Sequence, residues 1–118
     1  MQTFALPVAG DLNRRIKIRL WSDVPNAAFG LDQTFDAGIS RWAKHEPVHG
    51  LAIRAGAQTE EVPTDLFWVR HGQGTKPADI TGSHVVEYNG RRYRVLDTID
   101  VDGVRKFTRI TTKDLGAL

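Results

Sequence analysis

The sequence predicts a mainly β fold built from antiparallel strands, and three observations lead to this. Asn89-Gly90 and Asp102-Gly103 each separate two runs rich in β-branched and aromatic residues, and both dipeptides tolerate the positive φ of tight hairpin turns. Residues 14–21 alternate strictly between apolar and polar or aromatic side chains, as a half-buried strand does. Glycines and prolines interrupt the remaining segments, so we expect at most one short helix.

Composition and charge set bounds on the class of protein. The chain has 118 residues, of which 41% are hydrophobic and 25% charged, which is ordinary for one globular domain. No apolar run approaches the length of a membrane helix. The absence of cysteine excludes disulfides, thiolate metal sites and thiol catalysis, and a reducing cytoplasm, or an assembly built there, is the expected location. We expect a single domain over 1–118, with an N-terminal arm at 1–13 and long loops at 22–38, 49–64 and 72–82.

The first predicted strand, 14–21, places Ile16, Ile18 and Leu20 on one face and mainly basic residues on the other. Residues 22–38 contain Pro25, two glycines and three aspartates with isolated apolar residues, so we expect a long excursion between strands. Exposed aromatic residues in such a loop are typical interface anchors, although packing over the end of the barrel is an equal alternative.

The middle of the chain predicts two further strands. Residues 39–48 form the second, with Trp42 as its core anchor and Pro47 at its end. One or two helical turns around 51–57 are expected before the next strand, 65–71. That strand is apolar on both sides, so it is either buried on two faces or meets another subunit with its outer face. The glycine-rich segment 72–82 is expected to be a mobile loop.

The last third predicts a three-stranded antiparallel meander. A two-residue loop at Asn89-Gly90 pairs Tyr88 with Arg91, Glu87 with Arg92, and Val86 with Tyr93, which joins opposite charges on one face and apolar residues on the other. The turn at Asp102-Gly103 leaves two registers possible. A two-residue loop pairs Asp100 with Arg105, whereas the preferred four-residue loop pairs Ile99 with Val104, Asp97 with Lys106, Leu96 with Phe107, and Tyr93 with Ile110.

No set of residues in the sequence predicts catalysis. His45 and His49 have metal-ligand spacing only on a helix, and Pro47 between them argues against one. The segment 72–76 is glycine-rich and ends in lysine but lacks the spacing of a phosphate-binding loop. We therefore expect no enzyme activity, metal or cofactor. Basic and aromatic residues of the meander are the best nucleic-acid candidates, although a structural role is favoured for them: Tyr88, Arg91, Arg92, Tyr93, Arg94, Arg105, Lys106, Phe107 and Arg109.

Four stretches of the chain resemble the phage head-tail joining family, also described as head-closure or stopper proteins. They are RRIKIR at 14–19 with the Phe29-Gly30 turn that follows, ISRWAKHEP at 39–47, FWVRH at 67–71, and VVEYNGRRYRV at 85–95. The last is the most specific, and the likeness continues through Ile99 and Asp102-Gly103. The resemblance spans nearly the whole chain.

The resemblance implies a small antiparallel β-barrel of about six strands that acts as a structural virion protein of a tailed phage or prophage. Such a protein docks as a ring beneath the portal and its adaptor, closes the DNA-filled head and presents a surface to the tail. Its location is then the neck of the virion, after assembly in the host cytoplasm, with non-specific contact to packaged DNA and no membrane contact. The alternatives are a small nucleic-acid-binding β-barrel and a tail-completion protein of similar fold. The residues predicted to bind partners are Phe29, Leu31, Phe35, Leu51, Ile53, Arg54, Phe67 and Lys76.

Overall fold

The computed structural model describes residues 9–48 and 62–118, which contain seven strands and two short 3-10 turns. The strands are β1 (Arg14–Pro25), β2 (Leu31–Phe35), β3 (Ile39–Pro47), β4 (Asp65–Arg70), β5 (His84–Tyr88), β6 (Arg91–Asp100) and β7 (Phe107–Ala117). The 3-10 turns are Ala9–Asp11 and Val101–Gly103. The mainly β prediction is confirmed.

The strands form one antiparallel sheet in the order β2-β1-β3-β4-β7-β6-β5, and a further pairing of β1 with β5 joins its ends. Six strands therefore close into a barrel, which removes the exposed sheet edges that invite aggregation. β1 takes part twice, since Arg14–Ile18 pair with β3 and Lys17–Leu20 pair with β5. From Trp21 onward its ladder partner is β2.

The interior of the barrel is filled by side chains from the inward positions of the strands. Alternation along β1 sends Ile16 and Ile18 inward, as predicted, and Phe67 and Val69 of β4 meet them. The rings of Phe67 and Tyr93 pack edge to face with centroids 5.1 Å apart. The core cluster consists of Ile16, Ile18, Ala43, Phe67, Val69, Ile80, Val86, Tyr93, Val95 and Ile110.

The outer side of β4 is covered by the chain itself. Trp68 is buried there against Leu12, Val101 and Phe107, which form a second, smaller cluster. β4, predicted to be apolar on both sides, is therefore buried on both faces, which is one of the two alternatives considered. Leu12 lies within the expected N-terminal arm, so at least this part of it packs on the barrel.

The first hairpin of the meander has the predicted register, with Tyr88, Glu87 and Val86 opposite Arg91, Arg92 and Tyr93. The predicted register of the second hairpin is wrong: Ile99 pairs with Arg109, Asp97 with Thr111, and Asp100 with Thr108. The loop is longer because Asp100 Oδ1 accepts a hydrogen bond from the backbone N–H of Arg105 at 2.9 Å, and because Val101 turns back to cover Trp68. β6 also contains a bulge between Val95 and Asp97, which shifts the pairing further.

Three expectations for the N-terminal half are also wrong. Trp42 is 55% exposed, because its ladder partner Arg15 lies on the outer face of β1 and Ala43 takes the inward position. Residues 22–38, expected to be a long loop, contain the end of β1 and all of β2. Leu20, expected inside, is 44% exposed because it lies where β1 leaves the barrel.

The segment between β4 and β5 lies across one end of the barrel. Ile80 enters the core, and the Thr98 hydroxyl donates to the carbonyl oxygens of Pro77 and Ile80 at 2.9 and 3.2 Å. Buried Thr75 donates to the carbonyl of Arg70 at 2.6 Å and its own carbonyl accepts from the Thr108 hydroxyl at 2.6 Å. The predicted glycine-rich loop is thus held in place by hydrogen bonds to β4, β6 and β7 and by its own buried Thr75 and Ile80. The predicted helical turns around 51–57 lie outside the described residues.

Candidate partner-binding surfaces

A hairpin projects from the barrel and is the first candidate surface. We define it as residues 21–35, the part of β1 that pairs with β2, the turn, and β2 itself. Almost every residue in it is exposed, on both faces of the ladder. The Ser22 and Thr34 hydroxyls hydrogen-bond across it at 3.0 Å. A two-stranded hairpin without a layer on either face has little apolar burial to stabilise it, so its own polar contacts matter.

Asn26 organises the turn of the hairpin. Its Oδ1 accepts hydrogen bonds from the backbone N–H groups of Ala28 and Gly30 at 3.0 and 2.9 Å, and its Nδ2 donates to Asp32 Oδ1 at 3.0 Å. The backbone N–H of Asn26 also donates to the carbonyl of Gly30 at 3.0 Å. Asparagine suits this place because its short amide side chain can replace missing backbone partners in a turn.

Phe29 occupies the tip with a strained backbone. Its φ is 63°, in the left-handed region that glycine and asparagine prefer, and its side chain is fully exposed. A bulky aromatic residue in that conformation costs of order 1–2 kcal/mol. Leu31, one residue beyond Gly30, is 65% exposed. The tip therefore offers two large apolar side chains to solvent.

Phe35 ties the base of the hairpin to the barrel. The guanidinium carbons of Arg19 and Arg92 lie 5.4 and 4.0 Å from its ring centroid. Both arginines also form ion pairs with Glu87, at 3.3 and 2.9 Å. Arg19 Nε donates in addition to the carbonyl of Asp36 at 2.7 Å. Phe35 is therefore engaged within the chain, unlike Phe29.

The second candidate surface is a groove beside β1 and β3, with a volume of about 780 Å³. Three arginines, Arg15, Arg41 and Arg70, line it together with the exposed Trp42. The guanidinium carbon of Arg15 lies 5.2 Å from the Trp42 ring centroid, and Arg41 donates to the carbonyls of Ser40 and Gln73. None of these arginines forms an ion pair with a carboxylate of residues 9–48 or 62–118. The remaining lining residues are Leu12, Asn13 and Ser40.

The structure separates the predicted partner-binding residues into groups. Phe29, Leu31 and Lys76 are exposed, whereas Phe67 is completely buried in the core, so its side chain is unavailable to a partner. The assignment of Phe67 fails because Phe67 and Val69 face inward and Trp68 takes the outer side of β4. Leu51, Ile53 and Arg54 lie outside the described residues.

Charge pairing accounts for several of the nucleic-acid candidates. Arg92 pairs with Glu87, and Arg91 Nε donates to Asp114 Oδ2 at 2.9 Å. That hydrogen bond and charge lower the pKa of Asp114 and raise the pKa of Arg91. Tyr93 and Phe107 are buried, as the structural interpretation of them requires, and burial raises the pKa of Tyr93.

His45, one of the two histidines considered as metal ligands, instead contacts Asp65 and two aromatic rings. His45 Nε2 lies 2.5 Å from Asp65 Oδ2, and its ring packs against Phe67 and Tyr88 with centroids 5.0 and 5.1 Å apart. Within the described ranges, no three potential metal ligands lie close enough together to hold an ion. His49 lies outside the described residues.

Within residues 9–48 and 62–118, the structure has no helix that is both long and apolar enough to cross a membrane.

Sequence reasoning missed the groove and the role of Asn26. The strict alternation of 14–21 predicts an outer face for Arg15, but only the register between β1 and β3 shows that Trp42 shares that face. Arg41 and Arg70 come from different strands, and the pairing of β3 with β4 brings them together.

These features define a six-stranded antiparallel barrel with a projecting hairpin. Residues 8–115 match the model of the phage head completion protein family, and the chain belongs to that family. Membership supports a structural role in the phage head, in company with other virion components. A comparison with curated protein sequences finds no match.

Two solved structures share the fold. The solution structure of protein SF1141 from Shigella flexneri 2a is 21% identical, with a TM-score of 0.67, and the match covers 91% of this chain and 96% of that one. A chain in the virion of a native gene transfer agent particle is 14% identical, with a TM-score of 0.55, over 89% of this chain and 96% of that one.

Proposed function

We propose that this chain joins head to tail in a tailed phage or prophage. It docks as a ring beneath the portal and its adaptor, closes the DNA-filled head and provides the surface to which the tail attaches. The family match over 8–115 carries this proposal, because it includes nearly all of the described barrel. The mechanism is docking and occlusion by a rigid barrel, with no bond made or broken, in the virion neck after assembly in the host cytoplasm.

The described surfaces support a role in assembly. The hairpin is exposed to solvent on both faces and carries a strained, fully exposed Phe29 at its tip. These features add nothing to the stability of an isolated barrel. Such a feature is stabilised when a neighbour covers it, and fully buried aromatic side chains are the usual anchors of protein interfaces. Phe29 and Leu31 are the described apolar residues that are best placed for this, with Lys76 as a candidate polar contact.

A nonsense mutation in the gene tests the proposal. The expected particles are capsids that have packaged DNA but lack tails, and that lose DNA to added nuclease. Supplying the wild-type chain from a plasmid should restore infectious particles. Tailed, infectious particles without this chain would overturn the proposal. DNA-filled heads that stay nuclease-resistant, beside tails that fail to attach, would instead favour the tail-completion alternative.

The groove lined by three arginines is the observation that favours the nucleic-acid alternative. Binding through phosphate contacts falls steeply as salt rises, because each neutralised phosphate releases counterions. A gel shift of the pure protein with duplex and single-stranded DNA at several salt concentrations measures this. A steep salt dependence that disappears on substitution of Arg15 and Arg70 would favour that alternative.

A further inference from the structure

The hairpin and the groove lie at opposite ends of one strand. Arg15, in the groove, and Pro25, next to the turn, are the second and last residues of β1. Ten residues of extended chain separate them, which corresponds to roughly 33 Å. The longest dimension of the described chain, 53 Å, is consistent with this separation. The hairpin of a chain therefore points away from its own groove.

The two surfaces are complementary in charge. The sequence has no lysine or arginine between Arg19 and Arg41, and it places three aspartates there: Asp23, Asp32 and Asp36. The groove has three arginines, and the Arg41 side chain donates to backbone carbonyl oxygens, so within residues 9–48 and 62–118 its charge has no carboxylate partner. An acidic element would therefore meet cations that no carboxylate of the described residues neutralises.

The two surfaces are also complementary in apolar area. Phe29 and Leu31 at the tip have no cover, and Trp42 in the groove is more than half exposed. Aromatic side chains that fill a pocket are typical centres of interfaces. Duplex DNA would account for the arginines of the groove, but it would leave the acidic, apolar hairpin unexplained. A second copy of this chain accounts for both.

We propose that the hairpin of one copy docks into the arginine groove of the next copy. Phe29 and Leu31 pack against Trp42, and Asp23, which lies on the same face of the hairpin as Leu31, approaches the arginines. Because donor and acceptor surfaces differ, the contact is heterologous, and repeating it head to tail closes a ring if the rotation closes. This inference rests on the proposed function, in which copies assemble side by side, and it adds the surfaces that join them.

Cross-linking between differently labelled copies tests this directly, because the natural chain contains no cysteine. One variant carries Ala28→Cys, at the exposed tip beside Phe29, and the other carries Asn13→Cys, at the exposed rim of the groove. They are mixed, at high protein concentration and in assembled particles, and treated with a short thiol cross-linker. Cross-linked dimers that contain one of each variant are expected. A third variant, Ala78→Cys, exposed in the β4–β5 segment, should give few cross-links with either.

Charge reversal tests the chemistry of the contact. Asp23→Lys and Arg15→Glu should each weaken self-association by roughly tenfold, since each replaces an attraction by a repulsion. The two substitutions together should restore much of it. Asp97→Lys, an exposed acid on β6, is the matched control and should change association little. Denaturation midpoints for every variant show whether each one folds.

The outcomes separate this inference from the function on which it rests. If particles contain several copies of the chain but no tip-to-groove cross-link forms, or only tip-to-tip products appear, the docking proposal is wrong and the neck role stands. If Arg15→Glu abolishes DNA binding and leaves self-association intact, the groove is a DNA site and the proposal is also wrong. If the chain is absent from particles, the proposed function fails. Tip-to-groove cross-links in the concentrated protein would then still support the docking proposal, whereas their absence would overturn the docking proposal as well.

Discussion

The guanidinium of Arg92, on β6, lies against the ring of Phe35, on β2, with 4.0 Å from its central carbon to the ring centroid. The two residues belong to the barrel and to the projecting hairpin respectively, so this contact connects the two parts. Arg19 approaches the same ring, and Glu87 holds both arginines. Phe35 thus sets how firmly the hairpin is attached to the barrel.

Replacing Phe35 with alanine should loosen the hairpin without unfolding the barrel. The lost cation–π contacts are worth about 0.5–2 kcal/mol at a partly buried site. Amide hydrogen exchange within residues 22–34 should accelerate, while exchange in β4 and β7 should not. Phe29→Ala is the control, because the fully exposed Phe29 side chain leaves no cavity when it is removed. Equal exchange in both variants would mean that Phe35 does not anchor the hairpin.

Phe67→Ala and Trp42→Ala should differ sharply in stability. Phe67 is completely buried, so its truncation should lower the free energy of unfolding by about 3–5 kcal/mol. Trp42 is more than half exposed and loses mainly its contact with Arg15, so about 1 kcal/mol or less is expected. Urea denaturation of both variants measures this. A large loss for Trp42→Ala would place it in the core, contrary to the structure.

Asn26→Ala should open the turn of the hairpin. It removes two hydrogen bonds to backbone N–H groups and one to Asp32, each worth about 0.5–1.5 kcal/mol net, with solvent replacing part of this at an exposed site. Faster exchange confined to the hairpin is expected, with little change in the global unfolding midpoint. Asn26→Asp, which keeps the acceptor but sets a second carboxylate beside Asp32, should fall between wild type and alanine. If alanine has no effect, the turn does not depend on this side chain.

The Arg91–Asp114 pair should make a small, pH-dependent contribution to stability. The hydrogen bond from Arg91 lowers the pKa of Asp114 in the folded chain, so the folded state favours the carboxylate. The contribution is therefore present above the ordinary pKa of aspartate and is lost as the pH falls through the lowered folded-state pKa. The stability difference between wild type and Asp114→Asn should be measurable at neutral pH and vanish in acid. A difference that grows in acid would reverse the assignment.

Local patterns in the sequence predicted most of the barrel. The alternation around Ile16 and Ile18 and the Asn89-Gly90 turn act over a few residues, and both were predicted correctly. The hairpin at 21–35 escaped prediction because neither of its faces is buried, so it lacks the alternation that marks a strand.

The predictions of register and burial failed where a residue's position depends on contacts with distant parts of the chain. Asp102-Gly103 suggested a tight turn, but Val101 packs on Trp68 together with Leu12, which precedes it by most of the sequence. Trp42 is predicted to anchor the core, whereas the ladder with β1 gives the inward position to Ala43. The arginine groove depends on the pairing of β3 with β1 and with β4, and no short motif encodes it.

The segment held across the barrel end by Thr75, Thr98 and Ile80 has a consequence for any assembly of these chains. The barrel that the described residues form is filled with side chains and closed at that end, so no channel runs through it. A filament as wide as duplex DNA could travel only between copies, along an axis that they share. The aperture would then be set by how many copies meet and how steeply each one tilts, so changes to the barrel interior should alter stability and leave the aperture as it is.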